Sequence, residues 1–171
     1  GRANQALIWL DKRPSGKEYF PFPLLDYFQG KLLLGLDNDR SPKYLNRYLK
    51  EAKFSYVKST YRYLAWHYLL KGNKKAVEQM RLKVLMEGDV GTGADQQALK
   101  EAKKGFNLLL IEARVLFDVS EYTKASKILE SSTLDKCCQS ADEKVEYYYR
   151  LGRIKEEQGF THNAILDFEK A

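Results

Sequence analysis

At 171 residues and a formal charge of +6, the chain is long enough for one ordinary domain or a short array of repeats. Four prolines and few β-branched residues favour helix over sheet, and no apolar run approaches a membrane span. The basic excess lies in residues 1–90, with 17 Lys and Arg against 9 Asp and Glu, whereas the remainder has 12 against 14; scattered singly or in pairs, these charges point to a solvated helical surface or an acidic partner ahead of nucleic acid.

The opening residues GRANQ have neither signal-peptide character nor an initiator methionine, so the chain reads as a processed or truncated piece. Residues 3–12 predict a short helix ended by Arg13-Pro14-Ser15-Gly16. Pro23 suits the first turn of a helix reaching about Leu36, with Gly30 as a close-approach position inside it. Asp37–Ser41 predicts a turn, and Ser41-Pro42 starts a helix whose apolar stripe is Tyr44, Leu45, Tyr48, Leu49 and Ala52. After a break at about 54–58, a helix carries Tyr61, Leu64, Ala65 and Tyr68. Gly72-Asn73 turns the chain into a second helix through Ala76, Met80 and Val84, by a turn one residue shorter than that of the C-terminal hairpin. His67 stands alone on its helix and reads as a packing or solvent-facing residue.

Residues 87–95 predict a loop. Its GDVGTG lacks the Gly-Lys-Ser/Thr ending of a phosphate loop and follows an amphipathic helix, so nucleotide binding is not expected. Residues 96–117 predict one long helix weakened at Gly105, and 123–130 another, with Ala125 and Leu129 on its inner side. Residues 131–142 read as a connection holding the adjacent Cys137 and Cys138, which make neither a CxxC metal knuckle nor a framework disulfide. The final stretch 147–171 predicts two amphipathic helices broken at Gly159, with Gly152 and Ala164 at the crossing and Phe168 covering it.

This last hairpin resembles the tetratricopeptide repeat: Tyr148, Leu151 and Gly152 match its first helix, Lys155 departs from an expected tyrosine, and Ala164, Phe168 and Ala171 match its second. Gly30, Ala65, Ala113 and Gly152 occupy the corresponding first-helix place at intervals of 35, 48 and 39 residues. The resemblance implies an all-α fold, a right-handed superhelix of antiparallel hairpins over residues 23–171. The hairpins would span about 23–53, 58–87, 96–131 and 143–171, with residues 1–22 as a lead-in. Ala171 would then leave an apolar edge for more repeats or a capping helix.

The resemblance further implies a concave surface lined by the first helices and occupied by a peptide or helix of another protein. Arg62, Trp66, Arg114, Phe117, Tyr149 and Arg153 fall at inward places, and the three arginines would recognise acidic side chains. Two alternatives stand beside this: the arginines pair internally with Glu112, Glu146 or Glu156, and Trp66 is buried against a neighbouring helix. A structural segment packed against the rest of a longer chain is the competing role. No catalytic constellation or metal motif stands out, and neither enzymatic activity nor a cofactor is expected.

Overall fold

The computed structural model describes residues 2–12, 22–52 and 55–171; the stop read at Arg13–Gly16 lies outside them, as does residue 54 of the break expected at about 54–58, whose last residues, Val57 and Lys58, already belong to a helix. Among the described residues the fold is all-helical, without strands. The helices are α1 Arg2–Asp11, α2 Leu24–Leu36, α3 Ser41–Glu51, α4 Val57–Leu70, α5 Lys74–Met86, α6 Gly93–Lys104, α7 Leu108–Asp118, α8 Tyr122–Glu130, α9 Leu134–Cys137, α10 Ala141–Glu157 and α11 Thr161–Lys170. A 3-10 turn, Asn38–Arg40, joins α2 to α3. The chain divides into two compact units, residues 1–106 and 107–171.

In the first unit α4 is the central element, packed against α2, α3, α5 and α6. It is buried continuously from Val57 to His67 although that run includes Lys58, Ser59, Thr60, Arg62 and His67. A buried polar group is tolerated only with a partner, and most of these groups have one. The Lys58 ammonium donates to the carbonyls of Val84 at 2.8 Å and Glu87 at 3.1 Å, closing the C-terminus of α5. The Tyr61 hydroxyl donates to Glu87 Oε2 at 2.5 Å in the same place.

The N-terminus of α4 is closed from outside its own segment. Asp95 of α6 is fully buried; its Oδ2 accepts from Tyr56 N at 2.8 Å and its Oδ1 from Ser59 N at 3.0 Å. Tyr56 itself has φ +57°, so no side chain at the helix start provides a cap. Thr92 caps α6 by accepting from Asp95 N at 3.1 Å, and its hydroxyl donates to Asp95 Oδ2 at 2.6 Å. The loop expected over 87–95 therefore ends at Thr92: the Thr-x-x-Asp pattern starts a helix three residues early.

Each small residue predicted at a crossing is buried. A Cβ on Gly30 would lie 2.5 Å from Leu45 Cδ2 of α3, and one on Gly152 2.5 Å from Phe168 Cε1 of α11. Ala65 and Ala113 have no exposed surface. Ser41 opens α3 without acting as its cap; its hydroxyl donates to Gly30 O at 2.8 Å and fastens the α2–α3 crossing.

Three hairpins, α4–α5, α7–α8 and α10–α11, share one turn. In each, a residue with positive φ (Gly72 at +70°, Ser120 at +67°, Gly159 at +84°) follows the first helix. The next amide then donates to the carbonyl five residues back: Asn73 to Tyr68, Glu121 to Leu116 and Phe160 to Lys155. Gly72, Ser120 and Gly159 each stand seven residues after Ala65, Ala113 and Gly152. The shorter turn expected in the second hairpin is thus a misregistration. Val77, not Ala76, is the counterpart of Ala125 and Ala164, and Arg81 takes the place of Leu129 and Phe168. Arg81 Nη1 donates to Ala102 O at 3.0 Å, near the end of α6.

The long helix expected over 96–117 is two helices. Gly105 has φ +96° and ψ 168°, a conformation suited to glycine, and Asn107 Oδ1 accepts from Leu110 N at 3.3 Å to cap α7. Likewise, the 131–142 connection contains α9 and ends at a capping box of Ser140 and Glu143 on α10. The second unit's core is Leu110, Ala113, Ala125, Leu129, Cys138, Tyr147, Leu151 and Ile154.

Two stability changes follow. Gly152→Leu places side-chain atoms where Phe168 already lies and is expected to cost about 1–3 kcal/mol; an unchanged denaturation midpoint would remove Gly152 from the crossing. Ser120→Gly relieves a left-handed conformation at a non-glycine residue and is expected to stabilise by up to about 1 kcal/mol, read from the same curves.

Candidate partner-binding surface

The two first-unit residues expected at the surface, Arg62 and Trp66, are interior, at 2% and 1% exposure. The Arg62 guanidinium carbon lies 4.9 Å from the ring centroids of both Tyr63 and Trp66. Its Nη1 pairs with Glu101 Oε1 of α6 at 3.2 Å, and its Nη2 donates to Ser59 Oγ at 3.3 Å. Gln97 Nε2 donates to the same Glu101 oxygen at 2.9 Å. Glu101 lies 39 positions from Arg62, on a helix whose packing partner is not legible in its periodicity, so this pairing has no signal in the sequence. The internal pairing of Arg62 and the burial of Trp66 follow from one cause. With neighbours on all sides, α4 has no long face left for a ligand over Val57–His67.

In the second unit, Glu146, Arg150, Arg153 and Glu157 recur at three- and four-residue spacing and form one charged stripe along α10. Arg153 is 38% exposed in its side chain and pairs with Glu156 at 2.9 Å and Glu157 at 3.4 Å. Arg150 is more enclosed, its side chain 15% exposed, and its Nη2 lies 2.5 Å from Glu146 Oε1. Burial, together with repulsion from Arg114 of α7, holds the Arg150 pKa below the usual guanidinium range; Glu146 and Asp118 act against that shift. Arg114 is half-buried.

Phe117 packs on Tyr122 of α8 with ring centroids 5.3 Å apart, and the Tyr122 hydroxyl donates to Glu157 Oε2 at 3.3 Å. Phe117 and Arg153 are therefore joined through Tyr122 and Glu157. Tyr149, 51% exposed, instead lies 6.0 Å from the Phe168 ring of α11 and does not belong with them. Arg150 was missed in the sequence because alignment of repeat positions pairs Arg114 with Arg153. The place one turn earlier on α10 is the one that comes near Arg114. Asn107 caps α7, its Oδ1 accepting from Leu110 N.

Among the described residues no group of three or more His, Cys, Asp or Glu could hold a metal ion, and no helix is long and apolar enough to cross a membrane. A shallow groove of about 400 Å³ in the first unit is lined by Val90, Gln96, Leu99, Lys100 and Lys103. His67 is buried; that burial, the largest influence, depresses its pKa. Comparison with known protein families, curated proteins and solved structures finds no match to this chain.

The enclosed Arg62–Glu101 pair gives a stability test. Glu101→Leu leaves a buried guanidinium without its carboxylate and is expected to cost about 3–5 kcal/mol. Adding Arg62→Met should recover most of that loss, because the uncompensated charge is gone; a double variant as unstable as Glu101→Leu would show that the pair is not a unit.

Proposed function

We propose that the chain is a tetratricopeptide-like array of helical hairpins acting as a protein-interaction or assembly scaffold, arranged as a right-handed solenoid. The observation that carries this reading is the common hairpin geometry. Three hairpins share a buried small residue, a left-handed residue seven positions later and the same backbone closure. Stacked hairpins of this kind present side chains to extended segments of other proteins.

The partner surface in this proposal lies in the second unit, on Arg114, Phe117 and Arg153, with Arg150 beside them. Among the described residues Arg153 is held by exposed pairs with Glu156 and Glu157, each worth about 0–1 kcal/mol, so a partner carboxylate replaces them at little cost. The mutual repulsion of Arg114 and Arg150 also favours an added negative charge. Arg62 and Trp66 have no place on this surface, and Tyr149 is set apart on the α11 side. The occupant is an acidic protein segment; nucleic acid does not fit a stripe whose two arginines are flanked by Glu146 and Glu157.

Selection from an unbiased displayed-peptide library tests the reading. Enriched peptides should carry acidic residues, bind more weakly as salt rises, and lose at least about tenfold in affinity, or 1.4 kcal/mol, to Arg153→Glu. Selection of no peptide, or of peptides indifferent to that substitution, would count against it. The second reading, a structural segment covered by further helices, is favoured by exposed Val145, Ile165 and Leu166 on the last hairpin. Light scattering that finds a monomer with no tendency to associate would weigh against that reading.

A further inference from the structure

Cys137 and Cys138 lie where three structural ties of the second unit meet. Both are free thiols, with Sγ atoms 2.9 Å apart; Cys138 is 2% exposed in the core and Cys137 is half-buried at the end of α9. The Cys137 carbonyl accepts from Asn107 Nδ2 at 2.6 Å. The same Nδ2 donates to Glu143 Oε1 at 2.9 Å, while Asn107 Oδ1 caps α7. Glu143 Oε2 accepts from the amides of Gln139 at 2.7 Å and Ser140 at 3.1 Å, at the start of α10. One side-chain amide thus connects the dithiol's peptide group to the N-termini of both α7 and α10.

Adjacent Cα atoms stand about 3.8 Å apart across a trans peptide, below the roughly 4.4–6.8 Å that ordinary disulfides span. A bond between these sulfurs closes a small ring containing the Cys137–Cys138 peptide and puts that peptide under strain. Such a strained bond is readily reduced, the property of a reversible disulfide rather than a structural one.

We propose that Cys137–Cys138 is a reversible redox modification site, converted by hydrogen peroxide to a vicinal disulfide whose formation withdraws the Cys137 carbonyl from Asn107 and loosens the starts of α7 and α10. The half-buried Cys137 reacts first: its thiolate sulfur attacks the peroxide, an S–O bond forms, the O–O bond breaks, and the leaving hydroxide departs as water. Cys138 sulfur then attacks Cys137 sulfur; the S–S bond forms, the S–O bond breaks, and the second oxygen leaves as water with the Cys138 proton. Two thiols lose two electrons and one peroxide becomes two waters. Reduced glutathione returns both electrons and both protons, and is itself oxidised to its disulfide. Burial, with the neighbouring thiol second, pushes the Cys138 thiol up to about 12, in keeping with its role as the second, resolving sulfur.

The test treats the whole chain with equimolar peroxide and reads intact mass, alkylation and amide hydrogen exchange. The expected product is a single chain lighter by two hydrogens, resistant to alkylation and restored by reduced glutathione. It should be absent from Cys137→Ser, and also from Cys138→Ala, which keeps an apolar side chain in the core. Exchange at Leu110, Ile111, Glu143 and Lys144 should accelerate at least about tenfold in the oxidised chain. Sulfinic acid at Cys137, a disulfide between chains, or an oxidised chain with unchanged exchange at these amides would overturn the proposal.

Discussion

The carboxylate of Asp95 is the contact on which the first unit turns. A helix start leaves unpaired backbone amides, and one buried among other helices has no water to meet them. Tyr56, in the left-handed region at the N-cap place, offers no side-chain cap. Asp95 supplies both oxygens from another helix, and as a charged acceptor it makes stronger hydrogen bonds than a neutral cap would. At the other end of this logic, Lys58 of α4 closes the carbonyls of α5. Arg81 of α5 in turn reaches Ala102 near the end of α6. The three helices close one another's ends in a cycle.

That cycle explains how a helix rich in polar residues is buried. Lys58 and Arg62 are not solvated surface; each meets an acceptor whose own requirement it fills. The second unit solves the same problem more locally. Ser140 and Glu143 form a capping box, Asn107 caps its own helix, and Lys155 meets the buried Asp167 across α10 and α11 at 2.6 Å. Asp26 and Arg47 form the corresponding cross-helix pair between α2 and α3 in the first unit.

Local signals were the legible ones. Gly30 and Gly152 stood out because small residues at helical spacing are a direct requirement of close crossing, and the turns at Gly72 and Gly159 because their glycines take positive φ. The break at Gly105–Asn107 was concealed by helical periodicity continuing on both sides. The turn at Ser120 lacked its glycine, and registering the second hairpin on Ala76 displaced its facing residues by one. What pattern reading could not reach is contact between distant segments: Asp95 on Tyr56, Glu101 on Arg62, and Arg150 rather than Arg153 beside Arg114. Periodicity identifies an amphipathic face, but α4 has partners around its circumference, so apolar spacing does not reveal which polar residues are enclosed.

The distance along the chain between Tyr56 and Asp95 also has a kinetic meaning. A chain emerging from a ribosome completes α4 and α5 well before residue 95 appears, and through that interval the N-terminus of α4 lacks its anion. Hairpin-by-hairpin consolidation is therefore open to the second unit, whose caps come from nearby residues. The first unit is expected to lock only when α6 arrives, with α4, α5 and α6 settling together in one late cooperative step.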